Sequence, residues 1–156
     1  MELLHATEFR YDTVGGDFST ATAYDLIEGP NCSLKSTKQL LKHILADNLN
    51  PDEVVQIGVG YEFSAVLAAA SLESLAVFLN GTWTSGTSTY SEGQTVATLG
   101  KKDIRFKIAD TSGTTKTFKL TKMQFEGSVD WAFELNKRFY LPIKCVSTNE
   151  SVLTIA

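Results

Sequence analysis

The stretch Asp52-Glu53-Val54-Val55-Gln56-Ile57-Gly58-Val59-Gly60-Tyr61-Glu62-Phe63-Ser64-Ala65-Val66-Leu67 decides the fold. From Val55 onward every second residue is apolar or aromatic: Val55, Ile57, Val59, Tyr61, Phe63, Ala65 and Leu67. Gln56, Gly58, Gly60, Glu62 and Ser64 take the positions between them. Successive side chains of a strand point to opposite faces, so the pattern predicts a half-buried strand of about fourteen residues. That is long against the usual ~5–6. Gly58 and Gly60 are the positions where such a strand is expected to bend.

A helix is expected directly after it. Ser71 suits the N-cap, Glu73 sits in the first turn where the helix dipole favours an acid, and Asn80-Gly81 supplies the stop. Leu72, Leu75, Ala76 and Leu79 recur at helical spacing and give one apolar stripe. A helix of about ten residues is marginal alone in water, so this one must pack on a sheet.

Toward the C-terminus the chain reads as antiparallel β structure. Ile104, Phe106 and Ile108 alternate with charged residues, Asp110-Thr111-Ser112-Gly113 reads as a turn, and Thr115 to Gln124 returns. Phe118 and Leu120 share one parity while Met123 and Phe125 take the other, which predicts a β-bulge near Thr121-Lys122. Val129, Trp131, Phe133 and Leu135 repeat the strand pattern, as do Leu141, Ile143 and Cys145. Pro142 points to an edge or a strand start. Residues 148–156 read as an extension able to pair along an edge, and Gly81 to Glu92 as a polar, mobile connector.

The N-terminal side is less regular. Residues 1–16 have little to pack against locally and read as an arm that orders on contact with a neighbour. Thr20 to Ile27 reads as a strand after a turn at Gly15-Gly16-Asp17. Cys32-Ser33-Leu34-Lys35 alternates, whereas Leu40, Leu41, Ile44 and Leu45 have helical spacing, so a strand leading into a short helix is expected. Asp47-Asn48-Leu49-Asn50-Pro51-Asp52-Glu53 is a polar loop with a clear breaker. The expected class is therefore mainly β: one domain over residues 1–156, an antiparallel sandwich or barrel with one short packed helix.

Eighteen acids against fourteen bases give a formal charge of −4, which argues against a free-standing nucleic-acid binder. Cys32 and Cys145 form no metal-type pair and read as free thiols. The start, Met1 to His5, has neither a basic nor an apolar leader region, so no signal peptide is expected. The apolar run Ala65 to Ala70 is too short to span a bilayer.

Catalytic chemistry does not emerge from the residue pattern. The two histidines, His5 and His43, have no second imidazole or cysteine at ligand spacing. Gly58-Val59-Gly60 lacks the third glycine and helix start of a phosphate loop. Glu62, Glu126, Asp130 and Glu134 lie on polar strand faces, where a solvated face is the ordinary reading and a glycosidase pair the sharper one. Trp83, Tyr90 and Tyr140 read as core or interface rings, with a ligand platform as the alternative. No metal and no cofactor is expected.

A resemblance enters through the middle of the chain. The long alternating strand running into Ser71-Leu72-Glu73-Ser74-Leu75-Ala76-Val77-Phe78-Leu79-Asn80-Gly81, of the form S-L-E-x-L-A-x-x-L-x-G, resembles the tail tube subunits of long-tailed bacteriophages. Thr117-Phe118-Lys119-Leu120, Met123-Gln124-Phe125-Glu126 and Leu141-Pro142-Ile143-Lys144-Cys145 are similar to their closing strands. The similarity covers residues 20 to 150 and extends to contractile-tail inner tubes, secretion-system tube proteins and tail terminators.

The resemblance implies a virion protein, assembled in the bacterial cytoplasm, that forms stacked rings, hexameric in such families. The rings make a hollow tube through which genomic DNA passes unbound. The implied partners are other copies of the chain and the tape-measure, initiator and terminator proteins, with no membrane. Gln56, Glu62, Ser64, Asp130 and Glu134 are the expected lumen-facing residues, and Asp47 to Glu53 the expected ring-stacking loop. A terminator, connector or capsid decoration protein is the alternative, followed by a small-ligand-binding β-barrel.

Overall fold

A computed structural model describes residues 3–25, 32–43, 50, 53–67, 72–93, 98–127 and 140–156. The chain is mainly antiparallel β, with one short helix. An eight-stranded sheet is built from β1 (Leu3–Thr13), β2 (Tyr24–Asp25), β3 (Ser33–His43), β4 (Glu53–Leu67), β7 (Lys101–Asp110), β8 (Thr115–Phe125), β9 (Leu141–Val146) and β10 (Leu153–Ile155). Its order is β2-β1-β7-β8-β9-β4-β3, with β10 also on β8. A separate hairpin joins β5 (Thr82–Thr84) to β6 (Thr89–Ser91), and α1 spans Leu72–Phe78.

The sheet folds over itself because its apolar residues sit on one face. Phe9, Phe106 and Phe118 lie directly opposite one another across β1, β7 and β8. Phe63, four places along the order from β1, packs on that row: its ring lies parallel to Phe9 at 5.7 Å and nearly parallel to Phe106 at 4.6 Å. Strands β1, β7 and β8 thus form one layer and β9, β4 and β3 the other. The corner between them is thin: β8 pairs with β9 at Gln124 and Phe125, and the Glu126 N–H just beyond donates to the Lys144 carbonyl at 2.8 Å. Helix α1 packs on the same core through Phe78, which contacts Phe9, Tyr11, Tyr24 and Phe125 edge-on or tilted.

The expected bulge is present. Lys102 pairs with Met123 and Ile104 with Leu120, so Thr121 and Lys122 oppose Asp103 alone. Lys122 takes a left-handed backbone (φ 51°) at this point. The Asp103 carboxylate, almost fully buried, accepts the Lys122 N–H at 3.0 Å and the Gly15 N–H at 3.1 Å. One acid therefore closes the bulge and anchors the loop after β1.

Several expectations are corrected. Residues 3–13 of the anticipated N-terminal arm are an integral strand, held by β7 from Leu3↔Asp110 to Thr13↔Lys102. The expected helix over Leu40 to Leu45 is strand as far as His43, because pairing with β4 runs to His43↔Glu53 and overrides the local spacing. The strand read from Thr20 to Ile27 is limited, among described residues, to Tyr24–Asp25. The connector Gly81 to Glu92 contains the β5–β6 hairpin. Of the α1 side chains that are described, Ser74, Leu75 and Phe78 are buried, as is Leu79 just after the helix, so Phe78 joins the apolar face and Ala76 moves to its margin; the Leu72 side chain lies outside the description. The expected strand Val129 to Leu135 lies outside the described residues.

Two residues past the helix, Asn80 takes a left-handed backbone (φ 55°) and its side-chain amide donates to the Phe125 carbonyl at 2.8 Å. Gly127 passes so close that an added Cβ would come within 2.4 Å of the Leu79 carbonyl oxygen. Gly127→Ala is accordingly expected to cost about 1–3 kcal/mol through overpacking. The check is a lower urea midpoint at unchanged slope.

Candidate assembly surface

β4 is fifteen residues long, but β9 pairs with it from Glu62 to Leu67 alone. Two further hydrogen bonds, Ser147 N–H to the Tyr61 carbonyl at 2.9 Å and Tyr61 N–H to the Ser147 hydroxyl at 2.8 Å, extend that edge by a single residue. From Glu53 to Gly60 the strand has β3 on one side and no strand partner on the other among the described residues. β3 closes the sheet, so its eleven-residue outer edge is also unpaired there. Among the described residues, the outer half of the hairpin is thus a two-stranded ribbon with no strand partner on either edge.

A bulge in the ribbon changes which residues share a face. Gln39 pairs with Gly58 and Leu40 with Gln56, leaving Ile57 as the extra residue. Beyond it the parity of β4 reverses relative to β3. Leu40 and Val54 fall on the face that carries Phe63 further along, while the opposed pair Leu41↔Val55 falls on the other. Leu40, Leu41, Val54, Val55 and Ile57 are 40–60% exposed. The apolar register expected from Val55 to Leu67 is therefore buried at Phe63, Ala65 and Leu67, and exposed at Val55 and Ile57.

The same bulge separates the expected lumen residues. Ser64 opposes Ser33 and Glu62 opposes Lys35, so these share the outward face of the sheet. Gln56 opposes Leu40 and lies on the other face, which corrects the expectation that all three align. On the outward face Lys144 stands between two acids, 3.2 Å from Glu126 and 3.5 Å from Glu62. The hydrogen bond and charge of Glu126, followed by the charge of Glu62, hold its ammonium above the usual lysine range. The Glu62 and Glu126 carboxylates thus belong to one solvated ion-pair cluster. Asp130 and Glu134 lie outside the described residues. So do Asp47, Asn48, Leu49, Pro51 and Asp52; of the expected stacking loop, Asn50 and Glu53 are described and exposed.

The remaining candidates are dispersed. His5 falls in β1 and His43 in β3. Trp83 and Tyr90 face one another across the β5–β6 hairpin, with the Tyr90 hydroxyl donating to Glu92, while Tyr140 is exposed ahead of β9. Cys32 and Cys145 are free thiols, and burial pushes both up in pKa. No group of three or more His, Cys, Asp or Glu able to hold a metal is found among the described residues. No described helix is long and apolar enough to cross a membrane.

The residue that sequence reasoning missed is Leu41. Its helical spacing with Leu45 hid its place opposite Val55 on the open ribbon. Neither a scan against known protein families nor a search of curated proteins finds a match for this sequence.

Proposed function

We propose that the chain is a self-assembling structural subunit of the tail-tube type, forming stacked rings around a hollow passage for DNA. The observation that carries this reading is the β3–β4 ribbon, whose two edges have no strand partner among the described residues and which exposes aliphatic side chains on both faces. A two-stranded hairpin is at best marginally stable in water, and an open apolar edge is a template for another chain. Contact with further copies would satisfy the free backbone groups and cover the side chains together. The ring form, the stacking and the passage of DNA come from the resemblance of residues 20 to 150 to tail tube subunits. On that reading Glu62 and Ser64 belong to the lumenal face, where carboxylates would repel the DNA backbone.

The test is negative-stain electron microscopy of the concentrated protein, alongside a Leu41→Lys/Val55→Glu variant, whose opposed charges attract across the hairpin. Hollow tubes of regular axial repeat are expected from the unaltered chain. The variant is expected to remain as single subunits with unchanged melting temperature, because both positions are exposed in the isolated subunit. Rings that never stack would shift the assignment to a terminator. A chain that stays single at every concentration, even with a nucleating tail-initiator complex present, would overturn the proposal.

A further inference from the structure

The two ends of the sheet carry opposite charge. At one end β3 holds Lys35, Lys38 and Lys42 with no acid, a formal +3 over residues 33–43. All three lysines are exposed. At the other end residues 3–25, which form β1, its following loop and β2, hold Glu8, Asp12, Asp17 and Asp25 against Arg10, a formal −3. Glu8 is met locally by Arg10 at 2.5 Å and Lys107 at 3.4 Å, with Arg105 at 4.0 Å. With Glu8 so met, Asp12, partly exposed, and Asp17, exposed, are the remaining acids of this end whose side chains are described. β2 covers β1 at Glu8 and Phe9 alone, so most of the β1 edge is also without a strand partner among the described residues.

We infer that the β3 edge of one copy joins the β1–β2 end of the sheet in a second copy, in a head-to-tail contact selected by charge. This rests on the self-assembly reading and specifies which surfaces meet. A two-fold contact of β3 with β3 would bring the lysines of two copies together, and like charges directly opposed in a sheet are destabilising. A contact between the two ends places lysines against aspartates and leaves each copy with one edge of each kind still available. Such a heterologous contact propagates until it closes into a ring. A self-complementary contact would instead stop at a dimer. The charges act as both attraction to the right edge and rejection of the wrong one.

Two charge-reversed variants test this by sedimentation velocity: Lys38→Glu/Lys42→Glu on β3, and Asp17→Lys/Asp25→Lys at the other end. Lys38 and Lys42 oppose Val59 and Val54, so their replacement breaks no ion pair across the hairpin. Each variant alone is expected to associate about 10–100-fold more weakly than the unaltered chain. An equimolar mixture is expected to recover association, with the two variants alternating in native mass spectra. Circular dichroism and melting of each variant establish that it is folded, and Asp17→Asn/Asp25→Asn provides a milder form expected to weaken association in the same direction. If the unaltered chain associates and Asp17→Lys/Asp25→Lys associates equally well alone, the head-to-tail pairing is wrong while self-assembly stands. If the unaltered chain never associates, even on an initiator, both fall.

Discussion

Phe63→Ala is expected to lower stability by about 3–5 kcal/mol, the range for truncating a fully buried aromatic ring. Phe63 has no solvent exposure and is the β4 residue whose ring stacks on both Phe9 and Phe106. Its removal leaves a ring-sized gap between the two layers. The Phe9, Phe106 and Phe118 rings cannot collapse into it without moving three paired strands. Aromatic contacts worth about 0.5–1.5 kcal/mol each are lost as well. For a chain of this size the melting temperature should fall by about 10 °C or more. Phe63→Leu, which fills most of the volume, should recover more than half of the loss. Differential scanning calorimetry of the two variants distinguishes a packing defect from a loss specific to the ring. Equal destabilisation by Leu and Ala would mean that stacking, not volume, holds the layers together.

Asp103→Ala should cost about 2–4 kcal/mol for a different reason. Its two carboxylate oxygens accept the N–H groups of Gly15 and Lys122, which lie 107 residues apart in sequence and neither of which belongs to regular strand pairing at that point. Alanine leaves both donors without that acceptor beside a nearly closed interior, and each such loss costs about 1–3 kcal/mol. Asp103→Asn keeps one acceptor but turns an amide N–H₂ toward the other donor, so an intermediate loss is expected. Urea titration gives the magnitude, and hydrogen exchange locates it. The Gly15 and Lys122 amides should lose protection together in the variant, while Phe106 and Ile104 keep theirs. Independent loss at one site alone would show that the carboxylate does not couple the loop to the bulge.

How far the fold could be read in advance depended on where each strand finds its partner. β4, α1 and the Thr121–Lys122 bulge were legible because their signals are local: alternation, a cap with its stripe, and a change of parity between Leu120 and Met123. β9 and β10 were legible for the same reason, as was the turn at Asp110, whose carboxylate accepts the Ser112 and Thr114 N–H groups. β1 was not, since the residues that make it a strand are Lys102 to Asp110, nearly a hundred positions away. The Leu40-Leu41 pair misled because its spacing suits a helix, while a hairpin with β4 fixes its conformation. The candidate surface was partly legible. Glu62 and Ser64 were placed together on a polar face, but Gln56 was not separable from them without knowing that Ile57 is bulged. The charge contrast between the two sheet ends could not be seen before the strand order was known.

The pairing of the first strand with β7 also governs how the chain is made. Leu3–Thr13 leaves the ribosome early, yet its partner, Lys101–Asp110, is translated nearly a hundred residues later. At ~5–20 residues per second this leaves β1 waiting roughly 5–20 s. During that interval Phe9 and Tyr11 have none of their β7 partners to cover them. The two-layer core cannot close until β8 and β9 have followed, so folding is dominated by slow, non-local pairing. A chaperone that holds the N-terminal segment should therefore raise the yield of native subunit more than one acting on the C-terminal half.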